Sequence, residues 1–156
     1  MFKLIKFLIT HGLALALGFA LGIYLLPMLV APQAPSNAEV ASSSAQAMFT
    51  AQFRKNLPGS DFLHWGEGKV AISARQVSFM GSLAPGPDYR LYLTRDLVLN
   101  EQEFLKVKDS SVSVGDIKTF KNFILTLPEN VNPADYAAVV VWCETFSEFI
   151  TAARYQ

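Results

Sequence analysis

Residues 123–143 read FILTLPENVNPADYAAVVVWC, and this stretch decides the fold class. The odd-numbered positions of the range 123–127 are all Phe or Leu, and this period of two is typical of a strand with one buried face. A turn-forming segment, Pro128 to Asp135, comes next. The unbroken run Val139 to Trp142 is typical of a strand buried on both faces. The stretch therefore predicts two β-strands joined by a loop.

Upstream of this stretch, apolar residues recur with the same period of two in three more runs, which lie around Val70, Val77 and Leu91. Short strands separated by turns, with no periodic helix between them, predict an antiparallel β-sandwich or a barrel-like single domain. A parallel fold would need crossover helices that the pattern lacks. The segments that we read as turns are Gly66 with Gly68, the cluster Pro85–Asp88, and Gly115 with Asp116.

Two segments at the ends of this domain fit more than one structure. Ala47–Arg54 carries Phe49 and Phe53 four positions apart, which favours a short helix, with a strand as the alternative. Residues 145–153 have apolar side chains at helical spacing, but they follow a buried strand, so we expect a bulged final strand there.

The segment before the domain has a very different composition. Residues 31–47 read APQAPSNAEVASSSAQA, with a single charge and almost no large apolar side chain. Such a segment cannot bury a core of its own, so we expect a flexible stalk.

The N-terminal region predicts a membrane anchor. From Phe7 to Ala38 there is no charged side chain, and the part up to about Val30 is almost wholly Leu, Ile, Ala, Phe and Gly. A helix of this length crosses the roughly 30 Å of hydrocarbon in a bilayer. It is also longer than the apolar region of a cleaved signal peptide, so we expect an uncleaved anchor.

Basic residues give this anchor an orientation. Lys3 and Lys6 precede the span, and the next Lys or Arg is Arg54. The positive-inside rule therefore predicts a single-pass protein of the cell membrane, with a cytoplasmic N-terminus and a periplasmic or extracellular C-terminal domain. The chain divides into an anchor at 1–30, a stalk at 31–47 and a β domain at 48–156.

Composition and motifs exclude several function classes. Thirteen basic residues balance thirteen acidic ones, which argues against a nucleic-acid partner. The sequence has no phosphate loop, dinucleotide fingerprint, serine-hydrolase elbow or His-Glu-x-x-His motif. With one cysteine and one histidine after the anchor, a structural zinc site of these residues is excluded within one chain. No conventional catalytic constellation is present, and whether the protein is an enzyme stays open.

Cys143 is the only cysteine, so no disulfide forms within the chain. A lone thiol in an oxidising compartment must be buried, ligated, or exposed to oxidation. If the strand that begins at Val139 continues, Cys143 shares a face with Val139 and Val141, while Trp142 and Glu144 share the other. The adjacent Glu144 disfavours the thiolate. Residue chemistry favours a buried, inert thiol and leaves a redox thiol as the alternative.

Three further residues are candidates for binding. His64 is a candidate axial haem ligand, or a metal ligand paired with Cys143, with a hydrogen bond to a loop carbonyl as the structural alternative. Trp65 and Tyr89 lie beside predicted turns, so we expect them to be exposed and to form part of a binding loop.

From about Phe62 to Ala153 the chain resembles the DM13 domain, which occurs in bacterial envelope proteins and, beside DOMON domains, in animal extracellular proteins. This resemblance implies a β-rich fold. It also implies that Cys143, in the place of the family's characteristic cysteine, acts in redox chemistry as a free thiol or by holding a prosthetic group such as haem. Its landmarks here are His64, Gly66, Gly68, Phe79, Gly86–Asp88, Tyr92–Leu93, Gly115–Lys118, Leu127–Pro128, Tyr136, Val139–Cys143, Phe146 and Phe149.

Two hypotheses for function follow. In the first, the protein is a membrane-anchored redox or electron-transfer module that uses Cys143, with His64 as a second ligand and an envelope protein as redox partner. In the second, it is a non-catalytic module that binds an envelope protein or a polysaccharide through Trp65 and Tyr89, while Cys143 only packs.

Overall fold

The strands predicted from apolar alternation form two antiparallel sheets. The structure is a computed structural model and describes residues 2–156. The first sheet has the order β1-β2-β3-β6 and the second the order β5-β4-β7-β8, and every pair of neighbours is antiparallel. The predicted sandwich is therefore confirmed, and its sheets do not close into a barrel. The strands are β1 Phe49–Phe53, β2 Gly66–Ile72, β3 Gln76–Leu83, β4 Tyr89–Thr94, β5 Val112–Ile117, β6 Phe123–Thr126, β7 Ala138–Cys143 and β8 Glu148–Arg154.

Strand β7 is an inner strand of the second sheet and is buried along its whole length. It pairs with β4 on one side and with β8 on the other. Val139, Val141 and Cys143 point into the core between the sheets, whereas Val140 and Trp142 point to the outer face of the second sheet. The face assignment made from the period of two is therefore confirmed.

A short helix that the sequence pattern did not reveal covers this outer face. Helix α3 spans Glu101–Val107 and begins at the N-cap Asn100, whose side chain accepts a hydrogen bond from the Glu103 N–H. Phe104 of α3 is fully buried, with its ring centroid 4.9 Å from that of Trp142. The helix thus gives the second sheet a second apolar layer.

The N-terminal helix α1 spans Phe2–Val30 and is long and apolar enough to cross a membrane, by length and composition. None of its described residues is buried. Its apolar surface is therefore not part of the core of the β domain.

The segment 31–47 differs from the flexible stalk that we expected. Residues Asn37–Ser44 form helix α2, which starts with a capping box between Ser36 and Glu39. Val40 packs this helix against the first sheet and is 1% exposed. The capping box, the burial of Val40 and hydrogen bonds from Ser43 to Gln76 and between Ser44 and Ser78 together hold this helix on the sheet.

The short helix favoured for residues 47–54 is wrong, because β1 lies there. Phe49, Ala51 and Phe53 occupy alternate positions and pack in or against the core between the sheets. A spacing of four is compatible with both a helix and a strand, and pairing with β2 decides the outcome.

Two of the segments that we read as turns lie instead inside strands. Gly66 and Gly68 belong to β2, and Gly115 and Asp116 belong to β5. Gly68 has a φ of 148° and Gly115 a φ of 155°, conformations that L side chains rarely adopt. Gly115 lies beside a shift in the register between β4 and β5, whereas the register of β2 is continuous at Gly68, so neither glycine forms a turn.

The expectation for the C-terminal segment is confirmed, because β8 is a strand and its register with β7 shifts between Val141 and Trp142. The antiparallel topology also brings one set of connections together. The loops 54–65, 84–88, 118–122 and 144–147 all lie at the end of the sandwich where β7 finishes, which we call the Cys143 end.

Candidate functional site

Cys143 is the last residue of β7 and lies opposite Tyr89 on β4 and Glu148 on β8. Its side chain is free of any disulfide and the residue is 2% exposed. Burial raises the pKa of the thiol, while backbone hydrogen bonds with Phe146 and Asp88 act in the opposite direction. The thiol is therefore neutral at neutral pH, the form that is a poor nucleophile and a poor metal ligand.

An apolar cavity of about 420 Å³ adjoins Cys143 at this end of the sandwich. One wall comes from α1, through Leu17, Leu21 and Tyr24 among others. The arrangement joins a thiol and an imidazole in a largely apolar space. The domain residues that line it are Leu63, His64, Pro85, Gly86, Pro87, Tyr89, Cys143 and Phe146.

His64 lines this cavity, so the structure brings together two residues that the sequence analysis paired. The His64 Nδ1 atom lies 3.1 Å from Asp61 Oδ2, and Asp61 Oδ1 accepts hydrogen bonds from the Leu63 and His64 N–H groups. Although desolvation opposes it, these hydrogen bonds lower the pKa of Asp61. The carboxylate therefore fixes the imidazole through Nδ1, in place of the loop carbonyl considered above.

Tyr89 was expected to be exposed, and this is wrong, because the residue is 3% exposed. It is the first residue of β4, and its ring packs edge-on against Phe120 with 6.0 Å between centroids. The loop 84–88 folds over it so closely that a Cβ at Gly86 would lie 2.4 Å from the phenol oxygen. Burial raises the pKa of Tyr89, which therefore lines the cavity as a neutral hydroxyl.

Trp65 lies apart from the cavity that contains Cys143. The Lys55 Nζ atom is 4.1 Å from the centroid of its ring and 3.4 Å from Glu67 Oε2. Trp65 and Lys55 line a different surface depression, together with Pro58 and Phe62. Of the predicted site residues, Cys143, His64 and Tyr89 thus come together and Trp65 does not.

A polar cluster on the opposite face of β7 was not anticipated. Lys108 Nζ lies 2.6 Å from Glu144 Oε2, and the Tyr92 hydroxyl donates a hydrogen bond to Glu144 Oε1. Although burial opposes the charge, these partners lower the pKa of Glu144, and the pKa of Tyr92 is raised to about 12 by burial and by Glu144. Lys108 Nζ is also 5.4 Å from the Trp142 ring centroid. Lys108 and Glu144 are far apart in sequence, so no local signal links them.

The donor atoms near Cys143 fit some prosthetic groups better than others. Residues 2–156 contain no group of three or more His, Cys, Asp or Glu side chains that could hold a metal ion. For haem, the Nε2 atom of His64 is a suitable axial donor because Asp61 already engages Nδ1. A neutral thiol does not suit thiolate ligation, so Cys143 fits haem less well than His64 does.

Comparison with known proteins identifies the domain. A family model described as electron transfer DM13 matches residues 48–155. The chain belongs to the DM13 family. The matched range begins just before β1 and ends just after β8, so the DM13 domain consists of both sheets and excludes α1 and α2. No curated protein and no solved structure matches the chain.

Proposed function

We propose that this protein is a membrane-held electron-transfer module in which Cys143 is the group that is oxidised and reduced. The observation that carries the proposal is the position of Cys143 in the DM13 domain, on a cavity that it shares with His64. Helix α1 is the anchor, with the N-terminus cytoplasmic and the DM13 domain in the periplasmic or extracellular space.

The chemistry requires a second participant. Cys143 has no second cysteine in the chain, so its oxidation would form a mixed disulfide: its sulfur attacks a disulfide of a partner protein, and the other sulfur of that disulfide leaves as a thiol. The alternative is that a bound group carries the electrons. Because the buried thiol is neutral, its cavity must open and the thiol must ionise before it reacts, so the proposal requires that this opening occurs in the folded protein without a partner. If haem is the bound group, His64 holds the iron, which supplies one-electron chemistry.

The first test uses the full chain in detergent. We would record its visible absorption spectrum and titrate its thiol under native and denaturing conditions, with Cys143→Ser as the control that removes the thiol signal. A thiol that reacts in the native state supports the proposal, and a haem band supports electron transfer with His64 as the iron ligand. A colourless protein whose thiol reacts only after unfolding contradicts it.

The burial of Cys143 also favours a second function, that of a non-catalytic binding module. A neutral thiol that is 2% exposed is typical of a packing residue, and a DM13 domain with an inert cysteine would act by binding an envelope protein or a polysaccharide. The surface depression with Trp65 and Lys55 is then the contact region. In this case Cys143→Ser lowers thermal stability without changing recovery of the partner, whereas Trp65→Ala reduces that recovery. Equal recovery with Trp65→Ala would exclude this role for the depression.

A further inference from the structure

Three of the five large apolar side chains that the β domain exposes lie at the Cys143 end. Phe62 is 84% exposed, Leu63 39% and Phe146 49%. They belong to the loops 54–65 and 144–147, and Leu63 and Phe146 line the same cavity. Exposed apolar side chains that cluster at one end of a domain indicate a surface that contacts a membrane or another protein.

The membrane helix leads to this same end. Val30, Ala31 and Pro32 line a depression together with Gly86–Asp88 and Phe120. The chain therefore leaves α1 beside the loop 84–88, one of the loops that form the Cys143 end.

The connection between α1 and the domain is short and held in place. Residues 31–36 join the two helices, and an extended chain of that length reaches at most about 20 Å. The Asn122 Nδ2 group donates hydrogen bonds to the Pro35 carbonyl, at 3.1 Å, and to Asn37 Oδ1, at 2.7 Å. Because Asn122 itself belongs to the Cys143 end, this end cannot move far from the end of α1.

The length of α1 sets the depth of its contacts. At about 1.5 Å per residue, its 29 residues span roughly 43 Å, which exceeds the roughly 30 Å of bilayer hydrocarbon by about nine residues. Lys3 and Lys6 precede the charge-free span, so α1 fills the hydrocarbon from about Phe7 to about Leu26, and only its last turn lies in the headgroup region. Phe146 adjoins the helix at Gly22, Ile23 and Leu26, in the outer part of the hydrocarbon.

We propose that the Cys143 end rests on the outer surface of the bilayer, with Phe62, Leu63 and Phe146 inserted at the boundary between headgroups and acyl chains. The inference rests on the membrane-spanning role of α1 given under the proposed function, and it does not depend on redox chemistry. Aromatic and leucine side chains are the residues that favour this boundary. The cavity beside Cys143 then opens at the membrane surface, and its partners reach it there.

Fluorescence quenching by brominated lipid tests the proposal. The full chain would be reconstituted into phosphatidylcholine vesicles with or without bromine on the acyl chains, in the parent form and as Phe62→Trp and Phe146→Trp. Met48→Trp is the matched control, because Met48 is 55% exposed and pairs with Ile72 at the opposite end of the sandwich. Phe62→Trp replaces a side chain that is 84% exposed, so it disturbs no packed contact.

We expect bromine to quench the fluorescence that Phe62→Trp and Phe146→Trp add to the parent, and to leave that added by Met48→Trp almost unchanged. Equal quenching at the three positions would overturn the inference. Flotation of the washed vesicles separates the two proposals, because a chain that does not float lacks the anchor. If the chain floats but bromine quenches the three variants equally or not at all, the membrane anchor is supported and the contact of the Cys143 end with the bilayer is excluded.

Discussion

At the scale of the residue, the burial of Cys143 makes the free energy of unfolding depend on pH. Burial raises the pKa of the folded thiol above its ordinary value of about 8.5. The unfolded thiol therefore loses its proton first as the pH rises. The stability that the neutral thiol contributes is fully present below the unfolded pKa and is lost as the pH rises through and above it.

This linkage predicts a difference between the parent chain and Cys143→Ala. Between pH 7 and about pH 9.5, below the range where tyrosines ionise, the free energy of unfolding of the parent should fall more steeply than that of the variant. Urea unfolding of both proteins at several pH values measures the two slopes. Parallel profiles would mean that the folded thiol ionises as easily as the unfolded one.

Glu144 provides a second prediction at this scale. The side chains of Lys108 and Glu144 are only 27% and 21% exposed, so Glu144→Gln should cost about 1–3 kcal/mol at pH 7. The pKa of Glu144 is lowered, so its contribution is present above the unfolded value of about 4.3 and is lost as the pH falls.

The control for Glu144→Gln is Asp116→Asn, which breaks the more exposed pair with Arg90. That change should cost less than about 1 kcal/mol, because solvent screens the pair. Urea unfolding at pH 7 and at low pH measures both variants. Equal losses from the two would show that burial does not strengthen the Glu144 cluster.

The sequence predicted the faces of β7 but not all of its surroundings. Strand periodicity alone placed Cys143 with Val139 and Val141. It did not place Tyr89 in the core, because a proline- and glycine-rich turn does not reveal whether the loop folds back over the strand. His64 and Cys143 were paired as candidate ligands on chemical type, and the sheet topology supplies their proximity.

At the scale of the element, α2 forms with little apolar surface of its own. The signal for its start was present in the sequence, since Ser36 and Glu39 have the spacing of a capping box. Composition alone predicts disorder for such a segment, because it does not include the sheet face against which Val40 packs.

Removal of the capping box should weaken this helix. Ser36→Ala removes the hydroxyl that accepts a hydrogen bond from the Glu39 N–H, and we expect the free energy of unfolding to fall by about 1 kcal/mol. Ser42→Ala, at an exposed position in the same helix, is the control and should have almost no effect or a small gain. Equal effects in urea unfolding would mean that the cap contributes nothing.

The two glycines with positive φ, Gly68 and Gly115, should differ in how much a substitution by alanine destabilises the fold. An added Cβ at Gly68 would lie 2.4 Å from the Met80 carbonyl oxygen, whereas one at Gly115 would meet only Leu125, at 4.0 Å. Gly115→Ala should cost about 1 kcal/mol from backbone strain, and Gly68→Ala about 3 kcal/mol or more, because a steric clash is added. Thermal and urea unfolding measure the difference, and a larger loss at Gly115 would contradict it.

At the scale of the whole molecule, alternation predicted which segments are strands, but not how they pair. Strand β3 pairs with β6 far along the chain, and β4 pairs with both β5 and β7. Such long-range neighbours depend on how the two sheets cover each other, a property that no short window of sequence contains. Helix α3 was missed for a different reason, because its seven residues are too few to show a helical period.

The arrangement of α1 relative to the domain leads to a prediction about independent folding. None of the described residues of α1 is buried, so a fragment of residues 33–156, which keeps α2 and Pro35, should unfold within a few degrees of the full chain. A fragment of residues 46–156 should be less stable, because it loses Val40 and the hydrogen bond from Asn122 to Asn37.

The thiol of Cys143 should also react faster in fragment 33–156 than in the full chain, because Leu21 and Tyr24 no longer form a wall of its cavity. Calorimetry and thiol titration of the three proteins measure both effects. Equal instability of the two fragments would mean that α1 is part of the folding unit, and an unchanged thiol rate would mean that the domain alone buries Cys143.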